Sequence, residues 1–322
     1  MNKRIIYFGN IFNNSGPSIV NRNLYAELSD SVFFFEDKSW LGKLRTLYKV
    51  LYSDVVVLSG LGILNFLGLI VGFLSRKKIV YLMHGAIKIE EEFRNYSLAS
   101  RMFEYFSLMI ASKIYCVSKS YKLLVINKLC YRKYANKIVI IPLGFQSEVA
   151  PNEILNGSGE ADKEKLVIVT VGGGRREKNI LSLCRVLSSL DLNIELRVIG
   201  PDGLDTNEIK KFDFVNYLGT VHHTELMGLF STSNLYIQYS LVDSFGLAPL
   251  EAVQQGCNLL VTKEVGLSDF LPSSAIVDGG DRADLQKKLY IRNSREVLLH
   301  INNVLDDWSE VADKYYKSWV SL

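Results

Sequence analysis

The sequence predicts an α/β chain made of two parallel-sheet domains, and three observations carry this. Short β-branched runs at 55–58, 79–83 and 166–171 alternate with segments of helical periodicity, and strand, helix, strand is what a parallel sheet requires. Between the halves, 146–165 is polar, carries Pro151, Gly157 and Gly159, and reads as a linker. Polar, glycine-bearing turns follow the apolar runs directly, at His84-Gly85, Gly172-Gly-Gly174 and Phe245-Gly246. Open α/β sheets bind ligands at such carboxyl ends of strands. At 322 residues the chain is long enough for two domains.

In the first half, Lys3-Arg-Ile-Ile-Tyr-Phe8 reads as a strand, followed by a turn-rich loop that ends in Ser15-Gly16-Pro17. Proline in the first helical turn, with glycine just before it, leaves the N–H groups there to face a ligand. The stretch 38–49 mixes four basic residues with Trp40, Leu41, Leu44, Leu47 and Tyr48, which describes an amphipathic helix. Residues 55–74 carry no charge, a length that could span a membrane, but four glycines and Ser59 interrupt them. We therefore expect a strand at 55–58, a helix at 63–74 and, after Arg76-Lys-Lys78, another strand ending in His84-Gly85. Residues 114–118 and 138–144 complete the first sheet.

In the second half, the strand at 166–171 leads through Gly172-Gly-Gly-Arg-Arg-Glu-Lys178-Asn into a helix. Glycines there let backbone approach a phosphate, and Arg or Lys neutralises it. The strand near 196–199 ends at Gly200-Pro-Asp-Gly203, and 214–219 precedes a helix at 224–230. A buried strand at 234–240 then enters Asp243-Ser-Phe-Gly-Leu-Ala-Pro-Leu-Glu251, where Leu247, Leu250 and Val253 recur at helical spacing and Gly256 closes the helix. The N–H groups of Phe245, Gly246 and Leu247 form an anion-accepting helix start. The carboxylates of Asp243 and Glu251, the latter about two turns into the helix, are assigned to hydroxyls. Phosphate with hydroxyls on either side describes a nucleotide-sugar.

The motif from Asp243 to Glu251, with Gly256 and Gly266-Leu-Ser-Asp269, resembles the signature of family 4 glycosyltransferases of the GT-B fold: two acids eight residues apart around a Phe-Gly pair. Asp243 stands where that family usually has Glu, and Gly173 where it has Arg. The resemblance implies two Rossmann-like domains facing a cleft. Residues 1–145 would be an acceptor-binding domain, 146–165 the linker, 166–303 a nucleotide-sugar domain, and 304–322 a helix packing back on the first domain. It implies a retaining, metal-independent hexosyltransferase that uses a nucleoside diphosphate sugar, UDP-sugar favoured, with no cofactor. Glu251 would hold the ribose, Asp243 the sugar hydroxyls, and Ser244, Phe245, Gly246 and Leu247 the sugar or phosphate. Lys178, helped by Arg175 or Arg176, would stabilise the diphosphate. Gly203 borders the base pocket, Gly16 approaches the donor phosphate, and His84 lies near the reacting carbon.

The net charge of +3 hides an asymmetry: residues 1–145 hold 20 Lys/Arg against 9 Asp/Glu, while 146–322 hold 17 against 25. A basic first half with apolar segments suits an anionic membrane surface, and so a saccharide or lipid-linked saccharide acceptor in bacterial surface polysaccharide (O-antigen, capsule or exopolysaccharide) biosynthesis. No nucleic-acid partner is expected. Met1-Asn-Lys-Arg lacks a following signal core, and Cys116, Cys130, Cys184 and Cys257 form no disulfide or zinc pattern. The expected location is cytoplasmic, peripheral at the inner membrane face. His222-His223 with Glu225 does not read as a metal site, since adjacent side chains at a helix start diverge. A nucleotide-dependent oxidoreductase is excluded because Gly172-Gly-Gly174 lacks the third spaced glycine. The alternative of another class is a catalytically inactive GT-B partner or chaperone subunit of a glycosylation complex.

Overall fold

The computed structural model describes residues 3–13, 15–146 and 165–322, so the expected linker lies almost wholly outside the described residues. The chain divides into two compact units, one of Met1–Gly144 with Asp306–Leu322 and one of Phe145–Leu305.

The first unit is a parallel sheet of β1 (Ile5–Phe8), β2 (Phe33–Phe34), β3 (Val55–Ser59), β4 (Lys78–Leu82), β5 (Lys113–Cys116) and β6 (Ile138–Ile140), in the order β2-β1-β3-β4-β5-β6. Every residue of β1 and β3 is buried, as continuous apolar runs covered on both faces must be. The uncharged stretch resolves into β3 and the helix Ile63–Leu74, turned by Gly60 at φ +73°. Its helical glycines are points of close approach. A Cβ at Gly68 would lie 3.0 Å from the Phe8 ring, and one at Gly72 3.2 Å from Val56. Among the described residues no helix is long and apolar enough to cross a membrane.

Right-handed crossovers put the helices Trp40–Val50, Ile63–Leu74 and Leu98–Ile110 side by side on one face of this sheet. The helices Gly16–Leu28 and Trp308–Val320 pack together on the other. The latter begins with a capping box, Asp307 with Glu310, and buries Tyr315 and Trp319 completely. Its Ser318 hydroxyl meets Tyr115 OH at 2.7 Å, and the Trp319 ring lies 5.9 Å from that of Tyr7.

The second unit is a parallel sheet of β7 (Leu166–Val171), β8 (Ile194–Ile199), β9 (Val215–Gly219), β10 (Leu235–Gln238), β11 (Asn258–Thr262) and β12 (Ile276–Val277). Its order, β12-β11-β10-β7-β8-β9, is the doubly wound arrangement in which the chain reverses direction between β7 and β10. Ile168, Leu196, Ile237 and Leu260 from the sheet and Leu183 and Leu187 from the helix Ile180–Ser188 form its core. The loops leaving β7 and β10 therefore meet at the switch point, where this topology leaves a crevice.

Candidate active site

At that switch point Lys178 and Asp243, 65 residues apart, come together with Nζ and Oδ2 2.5 Å apart. The loops are also tied through backbone, Leu241 N donating to Glu177 O at 2.9 Å. Gln238, the buried last residue of β10, donates its Nε2 to the same Asp243 oxygen at 2.6 Å, and Phe245 N donates to Oδ1 at 3.3 Å. Burial alone would raise the Asp243 carboxyl. The Lys178 ammonium and these donors outweigh it and hold the group below the usual carboxylate range. The side chains are 15% and 17% exposed, so the pair is largely withdrawn from water yet reachable from it.

The local course of the chain differs from expectation in three respects. Lys178 lies in a 3₁₀ turn, Arg176–Lys178, and left-handed Asn179 (φ 54°) separates it from the helix Ile180–Ser188. The amides of Gly172 and Gly173 donate to Ile199 O at 2.7 and 2.9 Å, and that of Gly174 to Pro201 O at 3.1 Å, so these glycines interlock β7 with the loop after β8 instead of presenting N–H groups to a phosphate. Gly173 has φ +61°, and a Cβ there would collide with the Pro201 carbonyl, so no arginine fits at 173. The helix after the Phe-Gly pair starts only at Ala248, which puts Glu251 in its first turn. The corner before it is Asp243-Ser244-Phe245-Gly246-Leu247, with Phe245 buried and Gly246 at φ +101°.

Glu251 is partly buried, and His223 Nε2 lies 3.3 Å from its Oε1, a neighbour the sequence did not suggest. Arg175 bends back, Nε donating to Gly172 O at 3.0 Å, while Arg176 is exposed with Nε 3.6 Å from Asp205. Gly203 is exposed beside the Gly174 carbonyl, its N donating to Thr206 Oγ1 at 2.8 Å. Among the described residues no three His, Cys, Asp or Glu side chains come together as a metal site. The thiols of Cys116, Cys184 and Cys257 are buried, and burial pushes each up to about 12.

In the first unit Gly16 is the exposed first residue of the helix Gly16–Leu28, capped by extended Ser15. His84 follows β4 as a partly buried residue, and burial pulls its pKa down to about 4, so the imidazole is neutral at pH 7. Its Nε2 lies 2.8 Å from Ser59 Oγ at the end of β3. The segment after it is clamped: Ala86 N donates to Tyr121 OH at 2.7 Å and Ile87 N to buried Glu104 at 2.9 Å. Tyr131 OH donates to the other Glu104 oxygen at 2.5 Å. Burial raises Glu104 to about 7, against the pull of these donors.

Residues 152–289 match the family described as glycosyl transferases group 1. One subunit of the human phosphatidylinositol N-acetylglucosaminyltransferase is 23% identical over 173 residues, 48% of this chain and 36% of that protein, so the match spans about a third of that relative. Among solved structures, Anabaena Alr3699/HepE in complex with UDP-glucose superposes with a TM-score of 0.70 at 14% identity, covering 99% of this chain and 100% of that one. Sucrose-phosphate synthase from Thermosynechococcus elongatus gives 0.68 at 15% identity, covering 99% of each. The chain thus has the GT-B fold, and residues 152–289 within it resemble the glycosyl transferases group 1 family.

Proposed function

We propose that this protein is a retaining hexosyltransferase resembling glycosyltransferase family 4, which moves a sugar from a UDP-sugar to a saccharide carried on a lipid, at a membrane surface. The observation that carries the reading is the Lys178–Asp243–Gln238 cluster at the switch point of a doubly wound sheet. A cation held at the ends of two strands beside two further N–H donors suits a diphosphate whose charge grows as it leaves. Glu251 would accept from the ribose hydroxyls and Asp243 from the sugar. Arg176, exposed and only loosely held by Asp205, can swing toward the phosphates more readily than Arg175. His84 would accept from a saccharide hydroxyl. UDP is favoured because the structurally similar Anabaena protein was solved with UDP-glucose.

A lipid-linked acceptor is supported by the curated relative, whose name describes transfer to phosphatidylinositol, and by the face formed by three helices of the first unit. That face exposes Trp40, Leu41, Ile63, Phe73, Leu74 and Leu98 among Lys43, Arg45, Lys49 and Arg76. Surface polysaccharide assembly at the inner membrane face would place such an acceptor within reach.

The test is thermal unfolding against a panel of nucleotides and nucleotide-sugars, repeated with Glu251→Ala. At a hundredfold excess over its dissociation constant a ligand of the folded state adds about 2.7 kcal/mol. A rise in Tm with UDP and one UDP-sugar, lost in the variant, is the expected result. A folded protein that no nucleotide stabilises would instead be an inactive partner of a glycosylation complex, the reading that Gly173 in place of arginine favours.

A further inference from the structure

The first unit holds a chain of polar side chains whose hydrogen positions follow from donor and acceptor chemistry. Asn21 is buried on the helix Gly16–Leu28, and its Nδ2 donates to Asn10 O at 3.0 Å. A carbonyl only accepts, so the orientation of the amide is set. Its Oδ1 then faces Tyr7 OH and Ser59 Oγ, each 2.6 Å away. An amide oxygen also only accepts, so both hydroxyls donate to it. The single proton of Ser59 is thereby engaged, and His84 Nε2, 2.8 Å from the same Ser59 oxygen, has to be the donor in that contact. With Nε2 protonated and the ring neutral, Nδ1 carries a lone pair. No side chain or backbone group among the described residues bonds Nδ1.

We propose that Ser59 and Asn21 are positioning residues for glycosyl transfer: they hold His84 as its Nε2–H tautomer, so that Nδ1 accepts a hydrogen bond from a saccharide hydroxyl and does not donate to a phosphate oxygen. The proposal rests on the preceding section for the ligand, but not for the tautomer. Tyr7, wholly buried on β1, supplies the second donor that keeps Asn21 Oδ1 pointing at Ser59.

The ring nitrogens of histidine-labelled full-length protein report the tautomer directly by long-range ¹H–¹⁵N correlation at pH 7, without ligand. The expected wild-type spectrum has a protonated Nε2 and an unprotonated Nδ1 for His84, assigned by its absence in His84→Gln. Ser59→Ala removes the acceptor and should give a mixture of tautomers. Asn21→Leu frees the Ser59 proton to be donated to Nε2, and should turn the ring over to the Nδ1–H form. Either variant should lower kcat about tenfold or more with the donor KM little changed. An Nδ1–H ring or an imidazolium in the wild type, or variants whose tautomer matches it, overturns the proposal. If Asn21→Leu does not fold, the wild-type and Ser59→Ala spectra decide. A protein that transfers sugar with an Nδ1–H ring sinks the relay alone. A folded protein with the Nε2–H ring that transfers no sugar sinks the catalytic role together with the preceding section, and leaves the tautomer standing.

Discussion

Lys178 and Asp243 depend on one another, and their separation in stability and in turnover can be reasoned out from the pair. Without the ammonium, Asp243 keeps only Gln238 and the Phe245 amide against the cost of burial. Its folded-state pKa is depressed, so it contributes stability above the unfolded value, near 4, that is lost as pH falls through the folded value. Lys178→Ala should therefore destabilise by about 2 kcal/mol at pH 7, measured by urea unfolding, and the deficit should shrink toward zero below about pH 4. Turnover should fall about a hundredfold or more, because the proposed reaction sets the same ammonium against the leaving diphosphate. A variant with full kcat would remove Lys178 from the chemistry whatever its stability. The two acids, the lysine and the Phe-Gly pair were legible in the sequence because they fall within one short motif and one strand-end loop. Gln238, His223, Ser59 and Asn21 were not. Their partners lie on other strands and helices, so no local spacing announces them.

Among the elements, those with the plainest physical signals were the most legible. The helix Ile63–Leu74 lies where its apolar run and flanking glycine and serine put it, and β7 is the uninterrupted β-branched run at 166–171. The helix Leu98–Ile110 carries no comparable signal. Its buried face is Phe103, Glu104, Ser107 and Leu108, half of it polar, while Leu98, Met102, Tyr105 and Met109 are exposed, so its apolar residues do not mark the face that is buried. Its one acid, Glu104, clamps the segment behind His84, and the two groups respond to pH in opposite directions. His84, with a folded pKa near 4 against about 6.5 unfolded, makes the fold more stable as pH rises across that window. Glu104, at about 7 against an ordinary 4.5, makes it less stable as pH rises from there to neutrality. Each effect is on the order of 3 kcal/mol, and together they nearly cancel. Glu104→Gln should unmask a stability that climbs from pH 4 to 6.5, and His84→Ala one that declines from pH 4.5 to 7. Urea midpoints across this range check both, and parallel curves for all three proteins would contradict the assignment.

At the scale of the first unit, three neighbouring helices expose apolar and basic residues together. The helices Trp40–Val50, Ile63–Leu74 and Leu98–Ile110 carry a single acid, Glu104, and it is buried. Exposed on them or at their ends are Trp40 at 72%, Ile63 at 83% and Leu74 at 74%, with further leucines, tyrosines and methionines between. Scattered apolar residues need no explanation, but this many on neighbouring helices is what the proposed membrane contact would use. Lys43, Arg45 and Lys49 on the first helix and Arg76 to Lys78 after the second add positive charge, so the membrane contact proposed above would be to a surface anionic and apolar at once, as the headgroup layer of an acidic bilayer is. Two separable contributions follow. Each basic residue near an anionic surface adds about 1 kcal/mol, which salt screens, and each buried leucine or isoleucine about 1.5–3 kcal/mol, which it does not. In co-sedimentation with vesicles containing phosphatidylserine at low salt, Lys43→Glu with Lys49→Glu should weaken binding at least tenfold and flatten its salt dependence. Ile63→Ser with Leu74→Ser should weaken it as much while leaving the salt slope intact. Binding to neutral vesicles as strong as to acidic ones would discard the electrostatic half. A wild-type protein that stays in the supernatant with acidic vesicles at low salt would overturn the membrane reading of the three-helix face.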